Sequence, residues 1–79
     1  MTATEVLPRL LTLAADRFGK RSSELAAGDD LFDALGIDSV EAMSLLTALE
    51  ETFGVEIPDY EVQDVRTFAE LAAVIARRA

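Results

Sequence analysis

Ser39 is the residue of this chain whose surroundings most favour chemistry. It follows Asp38, a strong N-cap type, and Glu41 stands three places after that cap at capping-box spacing, so a helix begins at Ser39 itself. A serine in such a place is ordinarily a cap and nothing more. Here Asp38 has the better claim, which leaves the Ser39 hydroxyl free at the positive end of a helix, where backbone N–H groups and the macrodipole favour a phosphate. The chain offers nothing to turn that hydroxyl into a nucleophile. It has no histidine and no cysteine, its only lysine is Lys20, and Gly36-Ile37-Asp38-Ser39-Val40 is not a G-x-S-x-G elbow. Ser39 is therefore a residue to be modified by another protein, and no catalytic residue is expected. A second constellation, Asp29, Asp30 and Asp33, suggests a calcium loop. Counted from Asp29, however, the glycine needed at the sixth place and the glutamate needed at the twelfth are Ala34 and Val40, so no metal is expected.

The elements that must position Ser39 are helical. Leu7, Leu10, Leu11, Ala14 and Phe18 recur at spacings of three and four, which predicts a first helix over Val6 to Phe18 closed by Gly19. Its start is open, since Thr4 is a good cap but would put Pro8 at the fourth helical position. Lys20 to Ile37, rich in Ser, Gly and Asp, reads as a long connection with about one helical turn. The central helix should run from Ser39 to Phe53, with Ala42, Leu45, Leu46, Leu49 and Phe53 on its core stripe and Gly54 at its end. Beside that stripe Val40, Met43 and Thr47 form a second face, either exposed or widening the core. Pro58 opens a short helix around Asp59 to Asp64, and Thr67 with Glu70 caps a last helix carrying Phe68, Leu71, Ala72 and Ile75 and ending in Arg77 and Arg78. The expected fold is all-α: three main helices, one short helix and a long first connection.

Composition excludes much else. At 79 residues, against about 150 for a typical domain, residues 1–79 form a single domain, and a core this small gives a stability of about 3–5 kcal/mol. Fifteen acidic and seven basic side chains leave a formal charge of −8. The 44 residues from Ser22 to Val65 hold twelve acids and no base, a local charge of −12 against +4 elsewhere. Nucleic acid and anionic membranes are poor partners for such a chain, and basic protein surfaces are good ones. Met1 to Leu7 lacks the pattern of a secretion signal, and the longest apolar runs reach six residues, so a cytoplasmic monomer without membrane insertion is expected.

The run Asp30-Leu31-Phe32-Asp33-Ala34-Leu35-Gly36-Ile37-Asp38-Ser39-Val40 resembles the signature of acyl carrier proteins, and the likeness continues through Ala48-Leu49-Glu50-Glu51-Thr52-Phe53-Gly54-Val55-Glu56-Ile57-Pro58-Asp59. The resemblance implies that Ser39 carries 4′-phosphopantetheine as a phosphodiester, attached from coenzyme A by a phosphopantetheinyl transferase. It also implies that acyl-loading and acyl-processing enzymes with basic docking surfaces read Asp38, Glu41, Glu50 and Glu51, with Val40, Met43 and Ile57 as apolar contacts. The cargo would be acyl intermediates of fatty-acid, polyketide or related biosynthesis, held as thioesters. The family commonly has leucine where Val40 stands, and often an acid and a larger apolar residue where Ser44 and Thr47 stand; the modification site itself is intact. An aminoacyl or peptidyl carrier of the same fold is an alternative, although its Gly-Gly-His/Asp-Ser pattern is interrupted by Ile37 and Asp38. Leu11, Leu45, Leu46, Leu49, Phe53, Ile57, Phe68 and Leu71 read first as ordinary core and second as a lining for an acyl chain.

A rival of another class is an acidic adaptor that binds basic proteins by charge alone and has no use for Ser39. Both readings share one physical consequence. Twelve acids without a base repel one another more in the folded bundle than in the expanded chain, and this sum over many pairs outweighs helix-end pairings of about 0.3–1 kcal/mol each. Thermal melts should therefore rise in midpoint on adding sodium chloride, and again in millimolar magnesium; a midpoint that stays level or falls in both would contradict this.

Overall fold

The computed structural model describes all 79 residues. Helix α1 spans Ala3–Phe18, α2 Leu31–Leu35, α3 Ser39–Phe53 and α4 Phe68–Arg78, with single 3₁₀ turns at Ser22–Glu24 and Asp59–Glu61. There is no strand, only one isolated bridge between Asp30 and Thr67. The three long helices lie where their periodicity put them. The short α-helix is the turn expected in the first connection, and not the one expected around Asp59 to Asp64. It forms inside the first connection, where Asp30 caps it and Gly36 ends it in the left-handed conformation at φ 66°. Asp59–Glu61 reaches only one 3₁₀ turn, because Val62 already leaves helical geometry at ψ 1°.

Helix α1 begins earlier than Thr4. Thr2 caps it in a reciprocal box with Glu5: the Thr2 hydroxyl accepts from the Glu5 N–H at 3.2 Å, and Glu5 Oε1 accepts from the Thr2 N–H at 2.9 Å. Pro8 consequently sits inside the helix, where its missing N–H forgoes one backbone bond.

The core stripe of α1 is Val6, Leu10 and Ala14, with Ala15 beside it, while Leu7, Leu11 and Phe18 are half-buried at its edges. From α3 come Leu45, Leu46 and Leu49, and from α4 Phe68, Leu71, Ala72, Val74 and Ile75. Phe53, placed on the α3 stripe, is only half-buried; Arg9 of α1 covers its ring with the guanidinium carbon 4.8 Å from the centroid. All eighteen buried residues are apolar. Phe68, Leu10, Leu45 and Leu49 are almost wholly enclosed, and cutting any one back to alanine costs about 2–5 kcal/mol, as much as the whole domain's stability.

The long connection is tied down at its end rather than left free. The Leu31 N–H donates to the Arg66 carbonyl at 2.7 Å and the Ala69 N–H to the Ala27 carbonyl at 2.9 Å, so α2 is fastened to the entry of α4. Arg66 adds an ion pair to Asp30, Nη2 to Oδ2 at 2.8 Å. Below this segment Glu61 pairs with Arg78 at 2.7 Å. Both long-range ion pairs thus join an acid of the base-free segment to a base outside it.

These bonds depend on ionised carboxylates. The Asp33 backbone N–H, then Arg66, holds the Asp30 carboxyl below its ordinary range, and the Arg78 guanidinium does the same for Glu61. Capping contacts lower Glu5 and Glu70. A carboxyl whose pKa is lower folded than unfolded stabilises the fold above the unfolded value and loses that contribution as pH falls through the folded one. The parent should therefore lose stability between about pH 5 and pH 3, and Asp30→Asn, which keeps a capping oxygen but has no charge to lose, should fall less over that window. Urea midpoints at the two pH values measure this; parallel losses in both proteins would contradict it.

Candidate functional site

Ser39 is the first residue of α3, exposed, immediately after the cap. The cap bond is made by Asp38, whose Oδ1 accepts from the Glu41 N–H at 2.9 Å, while Glu41 Oε1 accepts from the Asp38 N–H at 3.3 Å. One carboxylate therefore answers to the helix end, and the serine hydroxyl is spared that task. Gly36, left-handed, turns the chain between α2 and α3, and Ile37 is buried as the anchor just before the cap. The site is thereby fixed to the core on one side and open on the other.

Ser39 also lines a cleft of about 320 Å³ between α2, α3 and the segment leading into α4. Its walls are mainly Leu31, Leu45, Leu46, Val62, Val65 and Leu71, and its polar members are Ser39, Asp59, Gln63 and Arg66. Of the eight residues read as a possible acyl lining, Leu45, Leu46 and Leu71 reach this cleft. Leu49, Ile57 and Phe68 are buried elsewhere in the core. A larger, shallower hollow of about 700 Å³ between α1 and α3 does not include Ser39.

The residues expected around the serine separate into two groups. Val40 and Met43 are exposed, 76% and 45%, so the second stripe of α3 faces outward together with Thr47. Asp38, Glu41 and Glu51 are exposed beside them. Glu50 and Ile57 differ. The Glu50 carboxylate turns inward and accepts from the Ile57 N–H at 2.9 Å, bracing the loop after α3, and Ile57 is 6% exposed. Ile57 is thus a core residue and not a surface contact, and Glu50 acts on its own chain first. Ser44 accepts from the Arg17 guanidinium of α1, which brings a cation to one border of the exposed α3 face. Arg66, Gln63 and Asp59 were not singled out by sequence reasoning. Arg66 had a signal there, since it is the base that ends the base-free stretch.

The arrangement fits a phosphodiester on Ser39. The hydroxyl is accessible, the attachment would leave the Asp38 cap in place, and the phosphate would lie at the positive end of a fifteen-residue helix. The cysteine-free chain would gain from such an arm a thiol it lacks. No cluster of His, Cys, Asp or Glu is placed to hold a metal ion, and no helix is long and apolar enough to cross a membrane.

Residues 8–75 match the protein family described as the phosphopantetheine attachment site. The chain is 36% identical over 70 residues to the acyl carrier protein of Rubrobacter xylanophilus, covering 89% of this chain and 86% of that one. It is 27% identical over 77 residues to the acyl carrier protein of Akkermansia muciniphila, covering 98% and 96%. To the 3-methylorcinaldehyde synthase of Talaromyces stipitatus it is 37% identical over 66 residues, which are 84% of this chain and 2% of that protein. The fold superimposes on the solved acyl carrier protein of Enterococcus faecalis with a TM-score of 0.78 at 25% identity, over the whole of both chains.

The division of labour at the start of α3 has a direct test. Asp38→Ala should cost about 1 kcal/mol, a fall in melting temperature of about 4–8 °C for a domain this small, whereas Ser39→Ala should stay within about 0.5 kcal/mol of the parent. Equal losses in the two variants would show that Ser39 shares the cap.

Proposed function

The chain belongs to the phosphopantetheine attachment-site family, and on that premise we propose that Ser39 is the residue that bears the arm. The protein is an acyl carrier: its prosthetic group is 4′-phosphopantetheine and its work lies in fatty-acid, polyketide or related synthesis. The observation that supports Ser39 is the Asp38 cap, which satisfies the helix end and leaves an exposed hydroxyl at its positive pole.

Each part of the chain then has a task. The arm supplies the thiol on which acyl groups travel as thioesters. Asp38 and Glu41 fix the start of α3 so that the attachment point does not fray. Gly36 and Ile37 aim it away from the core, and the cleft gives an acyl chain an apolar place to leave water. A transferase must reach Ser39, and enzymes that load and process cargo must follow it to the same surface. We place their contacts on Asp38, Val40, Glu41, Met43 and Glu51, with basic side chains opposite the carboxylates steering the encounter and apolar groups closing on Val40 and Met43. Glu51 is the carboxylate of that set best able to serve a partner, because Asp38 and Glu41 already accept backbone N–H groups. A cytoplasmic monomer completes this reading.

Incubation of the parent and Ser39→Ala with coenzyme A and a phosphopantetheinyl transferase tests it. Intact mass should show complete addition of the arm to the parent and none to the variant. Equal modification of both would overturn Ser39 as the attachment site.

A further inference from the structure

The cleft beside Ser39 is lined by one cation, Arg66, and the structure pins it in place. Its Nε and Nη2 both lie against Asp30 Oδ2, at 3.0 and 2.8 Å, and its guanidinium carbon sits 4.8 Å from the centroid of the Phe32 ring. Its backbone is held as well: the N–H donates to Glu70 Oε1 at 3.0 Å, and the carbonyl accepts from the Leu31 N–H at 2.7 Å. These contacts restrain a side chain that is itself 63% exposed, so it has less rotamer freedom to lose on binding than a loose arginine. The Asp30 contacts engage two of the three guanidinium nitrogens, and Nη1 keeps two N–H donors for another acceptor.

We propose that Arg66 selects the cargo: the cleft takes neutral acyl groups that carry an oxygen acceptor, a β-ketoacyl group being the simplest, in preference to reduced alkyl chains or carboxylate-ended ones. This rests on the carrier reading above. Size sets the first limit. A cleft of about 320 Å³, at roughly 30 Å³ for each group of water's size, has room for about ten heavy atoms, so a short to medium chain can lie in it. Its apolar walls suit the methylenes of any such chain. The polar members then discriminate. Arg66 and Gln63 are exposed along the cleft, and a reduced chain passing them offers their N–H groups no acceptor. A ketone or hydroxyl oxygen at that level accepts from them instead, and a hydrogen bond from a cation is stronger than a neutral one. A carboxylate would gain Arg66 but meet Asp59 in the same cleft and the surrounding segment of twelve acids, while Asp30 already occupies the cation.

The test uses coenzyme A derivatives in which an amide replaces the thioester, so that the load does not hydrolyse. A transferase transfers arms bearing 3-oxohexanoyl, hexanoyl or a carboxylate-ended chain of similar length to the parent, Arg66→Met and Arg66→Lys, and intact mass confirms each loading. In the parent, the 3-oxohexanoyl load should melt about 4–8 °C above the hexanoyl load, the shift expected of one net hydrogen bond in a domain this size. The carboxylate-ended load should show no such rise. Arg66→Met should abolish the gap, and Arg66→Lys, which keeps the charge but not the planar fork, should retain only part of it. The gap compares two loads on one variant, so any stability lost by cutting the Asp30 clamp cancels. Loading without a gap in the parent, or a gap that survives in Arg66→Met, would overturn the role of Arg66 alone. Failure of the parent to gain the mass of the arm would overturn the carrier reading and this inference with it.

Discussion

A helix leaves four N–H groups at its start without partners in the helix, and something must answer to them before any side chain there is free for other work. In this chain the Asp38 carboxylate takes that duty at the start of α3, and Glu41 closes the reciprocal bond. The consequence reaches well beyond one turn. With the cap assigned to Asp38, the hydroxyl of Ser39 is exposed at the positive end of the helix, the α3 axis is anchored by buried Ile37 before it and Leu45, Leu46 and Leu49 within it, and the cleft opens beside the serine. Were the serine itself the cap, attaching a phosphodiester would remove the donor satisfaction that starts the helix. The Asp-Ser order separates the capping oxygen from the exposed hydroxyl.

Charge is organised by the same economy. The base-free stretch from Ser22 to Val65 is costly to fold, and its acids are not left as an undifferentiated field. Asp29, Asp30, Asp38 and Glu50 each accept a backbone N–H, and Asp30 and Glu61 reach arginines outside the stretch. Exposed ion pairs of this kind are individually weak, about 0–1 kcal/mol, so their importance lies in where they fasten the chain. The Asp30–Arg66 pair fastens α2 to the entry of α4 and so forms one side of the cleft. Carboxylates that brace the fold are engaged by their own chain, whereas Glu51 faces outward on α3.

Much of this was legible in the sequence because it is local. The Asp38–Glu41 and Thr67–Glu70 boxes, Gly19 and Gly54 as helix ends, and the stripe through Leu45, Leu46 and Leu49 are all encoded within a few residues of where they act. The Thr2–Glu5 box is equally local, but Pro8 argues against so early a start, since a proline in a helix interior is unfavourable and is tolerated only where a strong cap and a packed face hold the helix. What could not be read was non-local. The turn expected in the first connection is α2, with Asp30 and Gly36 as its local ends, whereas its fastening by the bonds from Leu31 to Arg66 and from Ala69 to Ala27 joins residues far apart in the chain. Ile57 is a partner contact only by the family resemblance and reads first as core; Glu50 folds back to its N–H and the side chain is buried. Arg66 lines the cleft through contacts with Asp30 and Phe32, more than thirty positions away in the chain.

The proposed carrier function depends on Ser39 bearing the prosthetic group in the cell. Protein isolated from its native host, digested and fragmented so that the peptide containing Ser39 is sequenced by mass, tests this most directly. The expected result is a phosphopantetheine increment, with or without an acyl load, localised to Ser39. An unmodified Ser39 peptide throughout the population, or the increment on any other residue, would contradict it.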